Sequence, residues 1–368
     1  LTPMGTRRET FGVAVVGGGS AGVAASVAAA RLGIRTVLIE RYGFLGGAAT
    51  QSLVLTYDGF FYRRPEAEWA VGGIGRELVD SLAHFGRPAQ PRLSPNGNWM
   101  LPFAPEASKA ALDRLALQAQ VDCRLHAMLT GVRMKPGRID ALVVRDHLGD
   151  FEIEASAFVD ASGESDLAEL SGVRMCHEDQ PRFAASLCAR IGGVRPGALL
   201  NRGLLQRAAA DLPQAFGLAR VRQGGGFVLD IPGNDDHWWM GIDTLTDGVS
   251  SASLTRAEQD CRAAAWAFVE RLRSEPGCEN ATLVSTGPQV GIRETRHPLA
   301  RHMISESDAL AGTRSATSVA RAAWNVERHD EPGRPTMASI GGEGFFDVPL
   351  DALRAEGPAN LWLAGRTL

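Results

Sequence analysis

The chain has 368 residues, of which 45% are hydrophobic, enough for two compact lobes and a substantial core. Its net charge is −4 with no block of like charges, which argues against a nucleic-acid surface or a polybasic membrane patch. The five cysteines are far apart, odd in number and without a C-x-x-C pair, so neither a full disulfide framework nor a redox-active dithiol is expected, and a reducing, cytoplasmic setting is.

Arg7 and Arg8 precede an apolar run from Phe11 to Ala30, a pattern that twin-arginine leaders also show. Here Gly17, Gly18 and Gly19 break the run, which continues without a cleavage region into a second strand-like segment. It therefore reads as fold. Phe11 to Val16 predicts a buried strand, Ser20 to Leu32 an alanine-rich helix closed by Gly33, and Arg35 to Glu40 a second strand. Together they make a parallel βαβ unit.

An irregular glycine-rich stretch runs from Arg41 to about Tyr62. Glu106 to Gln120 predicts a helix, Asp122 to His126 a strand, and Leu129 to Glu154 a three-piece β-meander turning near Pro136–Gly137 and Leu148–Gly149. Ala157 to Asp160 reads as a further short strand. From Val173 to Pro335 the character changes, with strands at Phe227–Ile231 and Trp238–Leu245 and a helix at Arg256–Ser274. Asn360 to Ala364 reads as a buried strand that returns to the first sheet. The expected fold class is α/β: one domain with a parallel sheet and β-meander (residues 10–175 plus 336–368) and an inserted α+β domain (176–335).

Gly17-Gly18-Gly19-Ser20-Ala21-Gly22 fits G-x-G-x-x-G in the setting the motif needs, after a strand and opening a helix. Gly17 makes the turn, Gly19 admits a pyrophosphate to the backbone, and Gly22 lets helix and strand pack closely. The helix N-terminus supplies unpaired N–H groups and partial positive charge. Glu40 ends the second strand, where a carboxylate accepts from ribose hydroxyls. The small residues within Glu40 to Thr50, and the turn that ends Phe158 to Gly163, offer extra backbone approaches along a long cofactor. They favour FAD over NAD. No second G-x-G-x-x-G has a strand before it and a helix after it, so no separate NAD(P)H domain is expected. No histidine or cysteine cluster has metal-ligand spacing.

These segments, with Gly291-Ile292-Arg293-Glu294-Thr295-Arg296 and Asn360 to Arg366, carry a resemblance. The chain resembles the FAD-dependent oxidoreductases with a glutathione-reductase type of Rossmann fold, over nearly its whole length. The resemblance implies that Gly17, Gly19, Ser20, Ala21 and Gly22 hold the pyrophosphate and that Glu40 and Arg41 hold the adenosine end. It places Gly47, Ala48, Ala49 and Thr50 towards the flavin, and Ala127 or Met128 against adenine. Ser162 and Gly163 would close over the cofactor, and Gly365 and Arg366 would point at it. Such proteins continue past this last strand into a helix covering part of the flavin, so the chain is expected to be truncated after Leu368.

Arg293 or Arg296 is a candidate for facing the flavin or an anionic substrate, because a guanidinium binds a carboxylate in a bidentate way. The alternative is a structural ion pair with Glu294. His297 is a candidate proton acceptor, as are Tyr57 and Asp58; His302 and His329 lie nearby in sequence. Trp238–Trp239 reads by default as core, with a ring-stacking wall as the alternative. The expected activity is hydride transfer from a small organic substrate to flavin N5. Two other readings stay open: a non-redox lyase, isomerase or thiazole-synthase-like enzyme using bound FAD or NAD, and a flavoprotein subunit that hands electrons to a partner protein. Homo-oligomerisation is compatible with each.

Overall fold

The computed structural model describes residues 7–94, 96–176, 183–198, 200–210 and 212–368. β1 (Arg7–Val16), α1 (Ser20–Arg31) and β2 (Thr36–Ile39) form the parallel unit read from the sequence, with Val13 opposite Thr36 and Val16 opposite Ile39. β1 begins before the apolar run. Arg7 to Thr10 carry no hydrophobic signal, but their backbone pairs with Phe151 to Glu154.

α2 (Pro105–Gln118) starts on a proline, whose missing N–H costs nothing in a first helical turn. It leads to β3 (Asp122–Arg124), then the meander β4 (Met128–Lys135), β5 (Arg138–Asp146) and β6 (Gly149–Asp160). The third meander strand and the separate strand expected at Ala157–Asp160 are one continuous β6. Its first half pairs antiparallel with β5, and Phe151 to Asp160 pair parallel with β1. The sheet order is β3-β2-β1-β6-β5-β4. A short helix, α3 (Asp166–Leu170), follows β6.

A second sheet follows in sequence: β7 (Ala185–Gly192), β8 (Ala219–Val221), β9 (Phe227–Asp230), β10 (His237–Thr244) and β11 (Thr282–Thr286), all pairing antiparallel. α4 (Ser251–Leu272) packs on it. The helix starts earlier than expected at Arg256, because the Ser250 hydroxyl accepts from the Ser253 N–H and caps it. Ala257, Cys261, Ala264, Ala265, Phe268, Val269 and Leu272 form its buried stripe. Trp239 is fully buried and stacks on Phe268 at 4.0 Å, so this tryptophan is core.

Within the stretch expected to be irregular, Arg41 to about Tyr62, Thr56–Asp58 forms a strand, and the chain beyond it adds more. Thr56–Asp58, Arg92–Leu93 and Trp99–Pro102 build a three-stranded sheet, and a helix spans Gly73–Leu82. One apolar cluster joins Val15 and Leu38 of the first sheet to Leu53, Leu55 and Tyr57, and on to Cys188 and Trp238 of the second. Around residues 335/336, Ser318–Ala322 pairs with Phe346–Pro349 and Val326–Arg328 pairs with Thr336–Ala338. The chain ends with β12 (Leu361–Leu363), parallel to Phe158–Asp160 of β6. No helix of the described residues is long and apolar enough to cross a membrane.

Candidate dinucleotide site

A cleft opens at the carboxyl ends of β1, β2, β6 and β12. Open α/β sheets bind ligands at this end, where crossover connections diverge. Gly17 turns the chain with φ +102, and a Cβ there would stand 2.2 Å from the Ala161 carbonyl oxygen. Gly22 packs α1 against this turn so closely that its Cβ would lie 1.9 Å from the Gly17 oxygen. At Gly19 the opposite holds: a Cβ would meet nothing nearer than the Gly47 Cα at 3.7 Å. The space above Gly19 belongs to the cleft.

Gly19 is the N-cap of α1. No side chain caps this terminus and the first turn has no acidic residue. The first-turn N–H groups therefore keep their capacity for an anion, reinforced by the helix dipole.

Across the cleft, Glu40 accepts from the Gly18 N–H at 2.6 Å and from the Tyr42 N–H at 2.9 Å. Each carboxylate oxygen retains a lone pair for a ribose hydroxyl. Burial pushes the Glu40 carboxyl above its ordinary range, and the N–H groups of Tyr42 and Gly18 only partly oppose it. Ala127 gives its N–H to the Glu40 carbonyl at 3.0 Å, so an adenine contact from Ala127 would use its carbonyl or its methyl group. Met128 is exposed beside it.

The turn after β6 is organised by Asp160, which is fully buried. Its carboxylate accepts from the Ser162 N–H (3.0 Å), the Ser162 hydroxyl (2.6 Å) and the Ala168 N–H (2.8 Å). Glu164 then joins two arginines: Arg366 donates to it at 2.5 Å and Arg41 approaches at 3.5 Å. Arg366 Nη1 is buried without a partner on this wall of the cleft. A buried N–H without an acceptor is costly, and a phosphate or carbonyl oxygen in the cleft would relieve it.

The lining thus unites residues from six separate segments: Gly17, Gly19, Ser20 and Ala21; Glu40 and Arg41; Gly47 and Ala48; Ala127 and Met128; Ser162 and Gly163; and Gly365 and Arg366. Gly22, Ala49 and Thr50 stand behind it. Gln51, Ser52, Glu164, Gln289 and Ile292 also line it, and no sequence motif marks them as a group. Gln289 reaches the cleft because its N–H bonds the Gln51 carbonyl at 3.0 Å. These donors, acceptors and clearances fit a dinucleotide.

The other candidates lie outside this lining. Arg296 donates to the Glu164 carbonyl at 2.8 Å and to Asp166 at 2.5 Å, which fastens the turn after β6 to the 291–296 segment. His297 pairs with Glu294 at 3.2 Å and sits opposite Cys176 in a short antiparallel bridge. Tyr57 is buried, stacks on Phe103 and bonds Ser108; burial pushes its hydroxyl up to about 12. Arg293 lies inside the second lobe and donates to the Ala184 carbonyl at 2.5 Å. Asp58 is an exposed residue whose carboxyl is nonetheless crowded by protein, which pushes it up to about 7.

The fold is that of FAD-binding Rossmann-like flavoproteins. CabE, an aromatic hydroxylase from angucycline biosynthesis, superposes with a TM-score of 0.50 at 13% identity, over 80% of this chain and 55% of that one. BexE, from BE-7585A biosynthesis, gives 0.49 at 18%, over 80% and 54%. A geranylgeranyl bacteriochlorophyll reductase-like protein from Thermoplasma acidophilum gives 0.45 at 16%, over 77% and 66%. The chain therefore spans just over half the length of two of these and 66% of the third. No curated protein matches. The chain belongs to the FAD-dependent oxidoreductase family, whose pattern matches residues 12–368.

Proposed function

We propose that the chain takes a hydride from a small organic substrate onto flavin N5, on a glutathione-reductase-type Rossmann scaffold with the second sheet as an inserted substrate lobe. One observation carries the reading: the uncapped N-terminus of α1 opens onto a cleft whose facing wall is Glu40. When bound, FAD supplies a ring that accepts two electrons. The protein's part is binding and orientation. First-turn N–H groups of α1 and the Arg366 Nη1 take the pyrophosphate and its neighbourhood, and Glu40 accepts from the ribose. Gly47, Ala48, Gln51, Ser52, Gln289 and Ile292 carry the cleft onward towards the second lobe, where Arg293 follows directly. The reactive ring belongs at that end, and the substrate enters from the second lobe.

The test is anaerobic mixing of the FAD-loaded protein with candidate donors, followed by flavin absorbance. Bleaching by an organic alcohol, amine or acid without a nicotinamide cofactor is expected. Reduction only by a nicotinamide cofactor or a protein partner, or turnover with no flavin bleaching, would overturn the reading.

A further inference from the structure

Two glutamines line the cleft where the nucleotide half meets the second lobe, and they are used differently. Gln289 accepts from the Tyr42 hydroxyl through its side-chain oxygen, and its N–H bonds the Gln51 carbonyl at 3.0 Å. Gln51 is only 6% exposed, yet its Nε2 is buried with no hydrogen-bond partner among the described residues. An unpaired buried N–H is costly, and its presence in a cleft wall calls for an acceptor from whatever fills the cleft.

The backbone explains why this residue faces the cleft. The Gly46 N–H bonds the Gly18 carbonyl at 2.8 Å, which seats the Gly46–Gly47 corner beside the turn that opens α1. Gly47–Ala49 then makes one 3-10 turn. Thr50 is directed inward, with its hydroxyl donating to the Leu45 carbonyl at 2.7 Å. The Gln51 N–H bonds the Gly47 carbonyl at 2.7 Å. Ser52 is clamped by the second lobe: a Cβ on Gly287 would stand 3.0 Å from the Ser52 oxygen, and one on Gly291 3.2 Å from the Ser52 Cβ. Gln51 is thus fixed at the joint between the two halves, one turn beyond the glycine that faces Gly19. On the flavin reading, Glu40 and the α1 turn serve the ribose and the pyrophosphate. The part of the cofactor left for the joint is the ring.

We propose that Gln51 is a positioning residue for the flavin ring, its amide reading the pyrimidine rim. An amide carries N–H donors and a carbonyl acceptor side by side. The rim alternates carbonyl, N–H and carbonyl, so Nε2 donates to a ring carbonyl while Oε1 accepts from the ring N3–H. The ring oxygens gain negative charge on reduction, so a fixed donor there favours the reduced ring. Gln51 therefore orients the ring and raises its potential. The inference rests on the flavin reading of the cleft, but not on which donor supplies the electrons.

The experiment compares the full chain, stripped of FAD, as wild type, Gln51→Leu and Gln51→Glu. Gln51→Leu should weaken FAD about tenfold, as the loss of two neutral hydrogen bonds does. ADP keeps the adenosine and pyrophosphate without the ring, and should bind wild type and Gln51→Leu equally. In the FAD-loaded variant the ring carbonyl stretches should move to higher frequency in the infrared, and the midpoint potential should fall. Gln51→Glu removes the donor and adds a negative charge, so its potential should fall further. Gln51→Leu removes an unpaired N–H, so the stripped variant should melt no lower than wild type. Unchanged FAD affinity, carbonyl bands and potential in Gln51→Leu would overturn the proposal. So would equal weakening of ADP and FAD, or loss of the fold in the stripped variant. No FAD binding by the wild type would overturn this proposal and the flavin reading together. If the variant shifts appear but no organic donor bleaches the flavin, the hydride reading alone fails; bleaching without the shifts overturns this assignment alone.

Discussion

Gly19→Val separates the cofactor site from the scaffold. The backbone at Gly19 has φ −67 and ψ 176, a conformation that side-chain-bearing residues adopt freely. A Cβ there meets no protein atom within 3.7 Å. The substitution should therefore change folding stability by only about 1 kcal/mol, the scale of exchanging a good N-cap residue for a poor one. The branched side chain instead fills the space where a phosphate meets the first-turn N–H groups. Losing one or two charge-assisted hydrogen bonds at roughly 1.5–3 kcal/mol each removes about 3 kcal/mol, on the order of a hundredfold in Kd. FAD titration of the apo-protein, followed by fluorescence quenching, measures the loss, and a parallel thermal melt measures the fold. Wild-type FAD affinity in a natively folded Gly19→Val protein would refute the placement of the pyrophosphate. A collapsed melting transition would refute the claim that the space above Gly19 is open.

Gly22→Ala should do the reverse: its Cβ would lie 1.9 Å from the Gly17 oxygen, and overpacking of this kind costs roughly 1–3 kcal/mol, so an unchanged melting temperature would contradict the close packing of α1. Glu40→Ala should weaken FAD binding by roughly 1–3 kcal/mol. The raised Glu40 pKa makes the native apo-protein bind a proton more readily than the unfolded chain. Its contribution to apo stability rises as pH falls through the folded pKa, while FAD affinity falls as the acceptor is protonated; parallel pH trends for the two would contradict this. At Asp243, burial pushes the pKa up, but Arg222 more than reverses it and leaves the carboxyl below its ordinary range. That stabilisation is full above the unfolded carboxylate pKa and disappears as pH falls through the lower folded value. Asp243→Asn should cost about 3–5 kcal/mol by leaving Arg222 buried without a counter-ion, and should flatten the acid limb of a stability–pH profile.

The nucleotide half of the fold was legible because its signals are local. Gly17, Gly19 and Gly22 have spacing imposed by one turn, and Glu40 stands at a fixed distance along the chain. Other features depend on tertiary partners. Arg7 to Thr10 are polar and join β1 only because Phe151 to Glu154 accept them. The helix at Gly73–Leu82 begins on a glycine at φ +56, which no start signal announces. β7 is buried along nearly its whole length, so it lacks the alternation that marks a half-exposed strand. At the site, Gln51, Ser52, Gln289 and Ile292 converge through one backbone bond between distant segments. Arg293 and Arg296 occupy one motif yet meet different surroundings. Arg296 faces Glu164 and Asp166, whereas Arg293 donates to the Ala184 carbonyl in the second lobe, a difference that spacing alone does not encode.

The account stands or falls on recognition of the dinucleotide half of the cofactor by the Gly17–Gly22 turn and Glu40. Equilibrium titration of the stripped protein with FAD, FMN and riboflavin tests this directly, because only FAD carries the pyrophosphate joined to adenosine. The account predicts saturable one-to-one FAD binding, with FMN and riboflavin on the order of a hundredfold weaker or more, as expected from losing about 3 kcal/mol of phosphate and ribose contacts. Equal affinity for the three, or no saturable binding of FAD, would contradict it.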